Sequence, residues 1–279
     1  MVTNVVIHRP RSNDVTLSLL KRAKENNYKA LVVTLDTMTM GWRPHDLERS
    51  YVPFVHGFGV QVGMSDPVFM ARYGKQPVTN QHPEFPYDPA KFDRKYVAGD
   101  ATVREDMFLG MEWIKETHTY HDWDDVKFLR DNWEGPLVLK GILNTHVRAI
   151  FFDCSNQSLT SGTVQDAEKA LTYGVDGIVI SNHGKFSSSF FLLLSRQGVA
   201  DYLPPCLFQT LGGRQVDGAI PALLALETIM KSPTIQAAQS SGQLTIFFDS
   251  GIRTGSDIIK ALALGAQAVL RMRLFKLLE

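Results

Sequence analysis

Cysteine is nearly absent. Cys154 and Cys206 are the only two in 279 residues, too few for a disulfide framework and wrongly spaced for a thiolate metal site. Long apolar runs are missing too. A stretch such as Phe190–Leu194 falls far short of the roughly 20 residues that a membrane helix needs. Neither charge sign dominates, with Lys+Arg and Asp+Glu at 29 each, so no global field favours nucleic acid or an anionic membrane. The opening MVTNVVIHRPRSND lacks the basic-then-apolar layout of a signal peptide. The closing FKLLE is not a peroxisomal address, so cytoplasm is the expected compartment. The eight histidines, His118 and His121 among them, form no metal triad. No glycine-rich dinucleotide turn follows an early strand.

What remains is ordinary for a globular α/β protein: 44% hydrophobic and 21% charged residues, enough for one large domain or two small ones. Helical and strand patterns alternate. Val15, Leu19, Leu20 and Ala23 recur at helical spacing behind Asn13 or Asp14, either a good N-cap, and Asn26-Asn27 suits the helix end. The run Ala30–Asp36 then reads as strand. Helix Trp123–Leu129 precedes the run Leu137–Ile142, and helix Asp166–Tyr173 precedes Gly177–Ser181. Helix Ala219–Met230 precedes Leu244–Asp249, and helix Ser256–Leu264 precedes Ala266–Leu270. Short runs apolar on both faces and separated by helices indicate a parallel sheet. Three end in a polar residue (Asp36, Ser181, Asp249), and a fourth carries Lys140 near its end. Catalytic groups of a (β/α)8 barrel sit at strand C-termini, which favours a TIM barrel over a doubly wound sheet.

The segment Tyr51–Glu116 breaks the rhythm with proline, glycine and aromatics, and carries helix signals at Pro67–Tyr73 and Arg104–Lys115. An insertion of this length reads as a lid, an oligomer contact or surface decoration.

Ser181-Asn182-His183-Gly184 ends one strand, and Gly213-Arg214-Gln215-Val216-Asp217-Gly218 completes it after a foreign-looking stretch, giving SNHG|GRQVDG. Together with Val33-Thr-Leu-Asp-Thr-Met-Thr-Met-Gly-Trp-Arg43-Pro-His-Asp46, Leu137-Val-Leu-Lys140-Gly-Ile142 and Phe248-Asp-Ser-Gly-Ile-Arg253-Thr-Gly-Ser-Asp257, this resembles the FMN-dependent 2-hydroxy acid oxidase/dehydrogenase family. The family includes glycolate oxidase, lactate oxidase, flavocytochrome b2 and lactate 2-monooxygenase. The four blocks resemble its fourth to seventh strands in the correct order, and the long insertion looks most like the lactate 2-monooxygenase branch. The resemblance implies an α/β TIM barrel, incomplete at the N-terminus, spanning residues 1–279 with a lid-like insertion at 51–116. It implies FMN as cofactor and a small L-2-hydroxy acid as substrate. Oxygen or another acceptor would take the electrons, and the assembly would be a homo-oligomer (a tetramer in related enzymes). No nucleic acid or membrane partner is expected.

Site residues carry over position by position. By resemblance, His183 takes a proton from the substrate, a task suited to imidazole near neutrality, while Cα–H leaves as proton or hydride. Asp36 orients and stabilises protonated His183. Arg214 is the principal carboxylate ligand and Arg43 assists, through guanidinium forks. Lys140 stabilises negative charge on the reduced flavin ring, Thr34 and Ser181 hydrogen-bond that ring, and Asp249 holds the ribityl chain. Gly251 and Arg253 hold the phosphate, helped by N–H groups near a helix start. Taken one at a time, each has a plainer reading: a structural histidine, a capping acid, solvated arginines, a salt-bridged lysine at the barrel mouth.

The chain also departs from the family pattern. Val6 and His8 stand where a Gln-x-Tyr is expected on the third strand, and Leu270 runs into Arg271-Met272-Arg273 where the family has Gly-Arg. Two stretches, 147–165 and 185–212, separate blocks that otherwise join at family spacing. Val147-Arg148 can be encoded GTACGT and Gln165 CAG; Gly184-Lys185 and Leu211-Gly212 can likewise hold splice signals. Both stretches are expected to be intron-derived, with genuine loop insertion the alternative. Impaired activity in this chain is expected, competing with a non-catalytic remnant of the fold or another phosphate-binding barrel. An IMP dehydrogenase relative would be one such barrel, but Cys154 lacks that family's loop context.

Overall fold

The computed structural model of the chain describes residues 4–35, 48, 53–79, 88–119, 121–142, 165–182 and 220–270. Its strands are β1 (Asn4–Ile7), β2 (Ala30–Thr34), β3 (Leu137–Lys140), β4 (Gly177–Ile180), β5 (Thr245–Phe248) and β6 (Ala268–Val269). They form one sheet in the order β1-β2-β3-β4-β5-β6, and every neighbouring pair is parallel. A doubly wound sheet reverses its strand order at a switch point; a sheet that adds each new strand beside the last is a barrel wall. The architecture is therefore that of a partial (β/α)8 barrel, and the doubly wound alternative falls.

Residues paired in a parallel ladder share a face, and faces alternate along each strand. The register therefore sorts every side chain. Val32 pairs with Val138, Val138 with Gly177, and Val179 with Phe247; Val32, Val138 and Val179 form one apolar cluster with Phe247 packed against it. On the opposite face Leu31, Val33, Leu137, Leu139, Ile178, Ile180, Ile246 and Phe248 are all buried. Helix Ala222–Ile229 packs on β4 there, and helix Gly255–Ala263 on β6. Apolar side chains on both faces explain why these strands read as continuous hydrophobic runs.

Polar contacts fix the N-terminal ends. Arg130, near the end of helix Trp123–Asn132, donates through Nη1 to Asp176 Oδ2 (2.9 Å) and through Nη2 to the Gly135 carbonyl (2.7 Å). The same Asp176 oxygen accepts the Leu137 N–H (2.8 Å), so one ion pair holds the starts of β3 and β4. At Gly135 a Cβ would lie 2.2 Å from the Lys29 carbonyl oxygen. Only glycine permits that approach.

The chain divides into two compact units; the first, Met1–Ile7, Lys29–Gly41 and Tyr120–Glu279, holds the sheet. The second, His8–Tyr28 and Trp42–Thr119, contains helix Asn13–Glu25 and the whole insertion. Regular structure in the insertion exceeds the sequence expectation. It comprises a 3₁₀ turn at Pro53–His56 and helices Gln61–Met64, Pro67–Ala71, Pro89–Val97 and Ala101–Thr117. Val15, Leu19, Val60, Met64, Phe69, Met70, Leu109 and Trp113 form the core of this unit. Asp66 is buried with its charge fully used: it caps Val68 and Phe69 N–H and accepts from Ser18 Oγ (2.7 Å) and Arg22 Nη1 (3.1 Å). An unpaired carboxylate there would be strongly destabilising.

Two element boundaries differ from expectation. Helix Asn13–Glu25 is preceded by Ser12 as its N-cap residue, because the Asn13 side chain is engaged by Arg9 Nη2 (2.6 Å). The Ser12 side chain makes no cap bond; its N–H (3.2 Å) and Oγ (2.9 Å) donate to Glu116, while its carbonyl accepts the Thr16 N–H (3.0 Å). The helix expected from Ala219 begins at Ala222, since the residue before Pro221 is kept out of the α region.

Replacing fully buried Ile178 by alanine is expected to cost about 2–5 kcal/mol. Val6, 60% exposed on β1, should tolerate alanine within about 0.5 kcal/mol. Urea unfolding of both variants checks the contrast; equal losses would mean the assigned faces are wrong.

Candidate active site

The C-terminal ends of β2 to β5 gather the sequence-selected polar residues. Thr34 is the register partner of Lys140, and Lys140 that of Val179. Ile180 pairs with Phe248, and the Asp249 N–H continues the ladder to the Ile180 carbonyl (3.1 Å), which sets Ser181 beside Asp249. Two-residue alternation then places Thr34, Lys140, Ser181 and Asp249 on one face, the face of the Val32–Val138–Val179 cluster. Thr34 and Ser181 are buried polar residues, while Lys140 and Asp249 are half-buried. In strand order the donor set runs hydroxyl, ammonium, hydroxyl, carboxylate. It offers donors and positive charge at one end and a carboxylate acceptor at the other.

The loop after β5 continues the set. Gly251 has φ 72° and Ser250 φ 81°, a left-handed pair that turns the chain sharply out of the strand. A Cβ added at Gly251 would meet nothing within 4 Å, so its backbone conformation and not crowding is what asks for glycine. Arg253 is exposed, just ahead of helix Gly255–Ala263. The sequence expected N–H groups at this helix start to face a phosphate. Two of them, from Arg253 (3.0 Å) and Thr254 (2.8 Å), donate to the Asp257 carboxylate, which also accepts the Thr254 hydroxyl (3.0 Å).

Sequence reasoning overlooked Ser250 and Asp257. Asp257 carried a readable signal, since Thr-x-x-Asp is a capping pattern. Ser250 had none, because its role depends on a contact with Asn182. The sequence-selected His183, Asp36, Arg43 and Arg214 lie outside the described residues, as do Cys154, Cys206, Arg271 and Arg273. His8 is described but belongs to the second unit.

A sequence profile described as FMN-dependent dehydrogenase matches residues 4–155 and 161–277. The chain belongs to the FMN-dependent dehydrogenase family. It is 37% identical over 259 residues to an FMN-dependent alpha-hydroxy acid dehydrogenase of Penicillium citrinum, covering 92% of this chain and 45% of that protein. An L-lactate oxidase of Lysinibacillus sphaericus is 30% identical over 258 residues, covering 92% and 46%. The crystal structure of a mandelate oxidase superposes with TM-score 0.51 at 25% identity, covering 95% of this chain and 49% of that one. The chain thus spans about half the length of the curated relatives it matches. The structural likeness supports the barrel, and among the described residues no helix is long and apolar enough to cross a membrane.

The family's flavin fits the groups present. Buried hydroxyls and an ammonium suit a polar ring edge, a carboxylate suits a polyol, and a glycine turn with a guanidinium suits a phosphate.

Backbone hydrogen bonds from Thr254 and Arg253 hold the Asp257 carboxyl below the usual carboxylate range. Its contribution to folding is therefore present above the unfolded-state value, about 4, and is lost as pH falls through the lower folded-state value. Asp257→Asn is expected to lower the thermal midpoint at pH 7. The gap between variant and wild type should close in acid. A gap independent of pH would dissociate the cap from ionised Asp257.

Proposed function

We propose that this chain carries the flavin-binding wall of an FMN-dependent L-2-hydroxy acid oxidoreductase, acting on a lactate- or glycolate-like substrate. The product is the 2-oxo acid or its oxidative decarboxylation product. The observation that carries this reading is the placement of Thr34, Lys140, Ser181 and Asp249 on one face at the strand ends, followed directly by the Gly251–Arg253 turn.

FMN supplies the two-electron acceptor when bound. The Lys140 ammonium would favour negative charge on the ring, and Thr34 and Ser181 would hydrogen-bond it. Asp249 accepts ribityl hydroxyls, and Gly251 and Arg253 meet the phosphate. Arg214 and Arg43 clamp the substrate carboxylate, each a two-pronged donor. His183 takes a proton from the substrate at its imidazole nitrogen, and the Asp36 carboxylate stabilises the resulting imidazolium. Electrons leave to oxygen or another acceptor. The expected assembly is a homo-oligomer, with 51–116 serving as a lid.

Stretches 147–165 and 185–212 are proposed to be intron-derived and to impair the chain that carries them. The second separates Gly184 from Arg214, and a carboxylate clamp works only when held within about 0.5 Å of productive geometry. Removing both stretches should tighten FMN binding at least tenfold relative to the 279-residue chain. The shortened protein should bleach anaerobically with L-lactate, and His183→Ala should retain FMN while cutting turnover by about a hundredfold. Flavin titration and stopped-flow bleaching read both effects. A shortened protein that binds no flavin sinks the functional reading; equal affinity with and without the stretches sinks the intron reading alone.

A further inference from the structure

We infer that Ser250 is a positioning residue whose hydroxyl ties Asn182, just past β4, to the end of β5 that carries the proposed flavin ligand Asp249. The Asn182 N–H donates to Ser250 Oγ (3.0 Å), and the same hydroxyl donates to Asp249 Oδ1 (2.7 Å). One hydroxyl thus completes a relay from backbone amide to carboxylate across 68 residues of sequence. Donation to an ionised acceptor strengthens a hydroxyl as an acceptor in turn, so the Asn182 amide is held more firmly than by an isolated serine. Asn182 directly precedes His183 in the chain, and Asp249 is the proposed ribityl ligand. The relay therefore couples the segment leading to the proton-transfer residue with the segment that holds the cofactor.

The backbone at Ser250 supports a role beyond turn formation. Ser250 and Asn27 are the non-glycine residues with positive φ among those described, at 81° and 59°. Asn27 sits at a helix end, where asparagine is well tolerated. Serine at φ 81° is disfavoured, and glycine would adopt that conformation freely. Gly251 beside it has the same handedness, so the turn itself asks for glycine at both positions. What serine adds is the hydroxyl.

This inference rests on the flavin reading above, and the test separates the two. Ser250→Gly frees the backbone and deletes the hydroxyl, whereas Ser250→Thr keeps the hydroxyl on a β-branched residue poorly suited to positive φ. Three quantities are read in the 279-residue chain. They are hydrogen exchange at the Asn182 amide relative to Val179 and Ile180, the FMN dissociation constant by flavin fluorescence, and the thermal midpoint. If the hydroxyl positions the loop, Ser250→Gly should speed Asn182 exchange about five- to tenfold, the range expected for one lost hydrogen bond. It should weaken FMN binding by a similar factor, while Ser250→Thr stays near wild type in both despite a lower midpoint. If exchange and affinity instead follow the thermal midpoints, with the glycine variant equal to wild type, Ser250 is a turn residue and the inference is overturned. Failure of the protein lacking stretches 147–165 and 185–212 to bind FMN overturns the flavin reading. The exchange at Asn182 still decides whether the hydroxyl holds that loop.

Discussion

Every functional reading of this chain depends on the register of a parallel ladder. The side-chain period of a strand is two, so a slip of one residue would move Thr34, Lys140, Ser181 and Asp249 to the helix-covered face and bring Leu31, Leu137 and Ile178 out of it. Several contacts resist that slip. The Arg130–Asp176 pair grips the starts of β3 and β4. Gln267 brackets Ile246, with its N–H donating to the Ile246 carbonyl (2.8 Å) and its Oε1 accepting the Ile246 N–H (2.9 Å). At the other end the Leu35 N–H donates to the Lys140 carbonyl (2.9 Å) and the Gly141 N–H to the Val179 carbonyl (3.0 Å). The polar face therefore depends on contacts made largely by residues with no part in the chemistry.

The second unit solves a different problem. Its helices are short, and most would be marginal alone, since helix nucleation is unfavourable and brief helices gain few hydrogen bonds. Aromatic packing and buried caps compensate. Phe69 meets Trp113 edge-on at 5.1 Å and Tyr73 at 5.3 Å. Gly63 lets Trp113 lie against its helix, where a Cβ would fall 2.2 Å from the indole. Arg72 bridges Asp14 and Glu116, joining helices Asn13–Glu25 and Ala101–Thr117. The segment that looked irregular in sequence is thus ordered by tertiary contacts rather than by helical periodicity.

That difference explains what the sequence disclosed. Strands buried on both faces announce themselves as Val/Ile/Leu runs, and β2 to β5 fall inside the runs expected for them. Helix ends with glycine or asparagine were equally legible: Gly174 at φ 68° and Asn27 at φ 59° stand where the helices stop. Helix Pro233–Ser240 escaped, although Ser232 caps it through Ile235 N–H and Pro233 opens it. Its apolar content is low, so the start signal had no periodic stripe behind it. Helix Pro89–Val97 escaped too, although Asp88 caps it through the Lys91 N–H. Within the site, residues fixed by strand position were legible from identity and spacing. Ser250 and Asp257 act through hydrogen bonds that only the folded turn creates.

The loop after β5 shows why stability alone does not account for its sequence. Holding a non-glycine residue in the left-handed region costs roughly 1–2 kcal/mol. Two hydrogen bonds through the Ser250 hydroxyl return about 0.5–1.5 kcal/mol each, so serine and glycine come out near parity for folding. The choice between them therefore turns on what each does to the loop. Glycine leaves the Asn182 amide without its side-chain acceptor and widens the conformations open to the turn. Serine closes the turn onto the end of β4 and fixes the Asp249 carboxylate at one oxygen. The strain at φ 81° is thus a structural cost set against the hydroxyl bridge between Asn182 and Asp249.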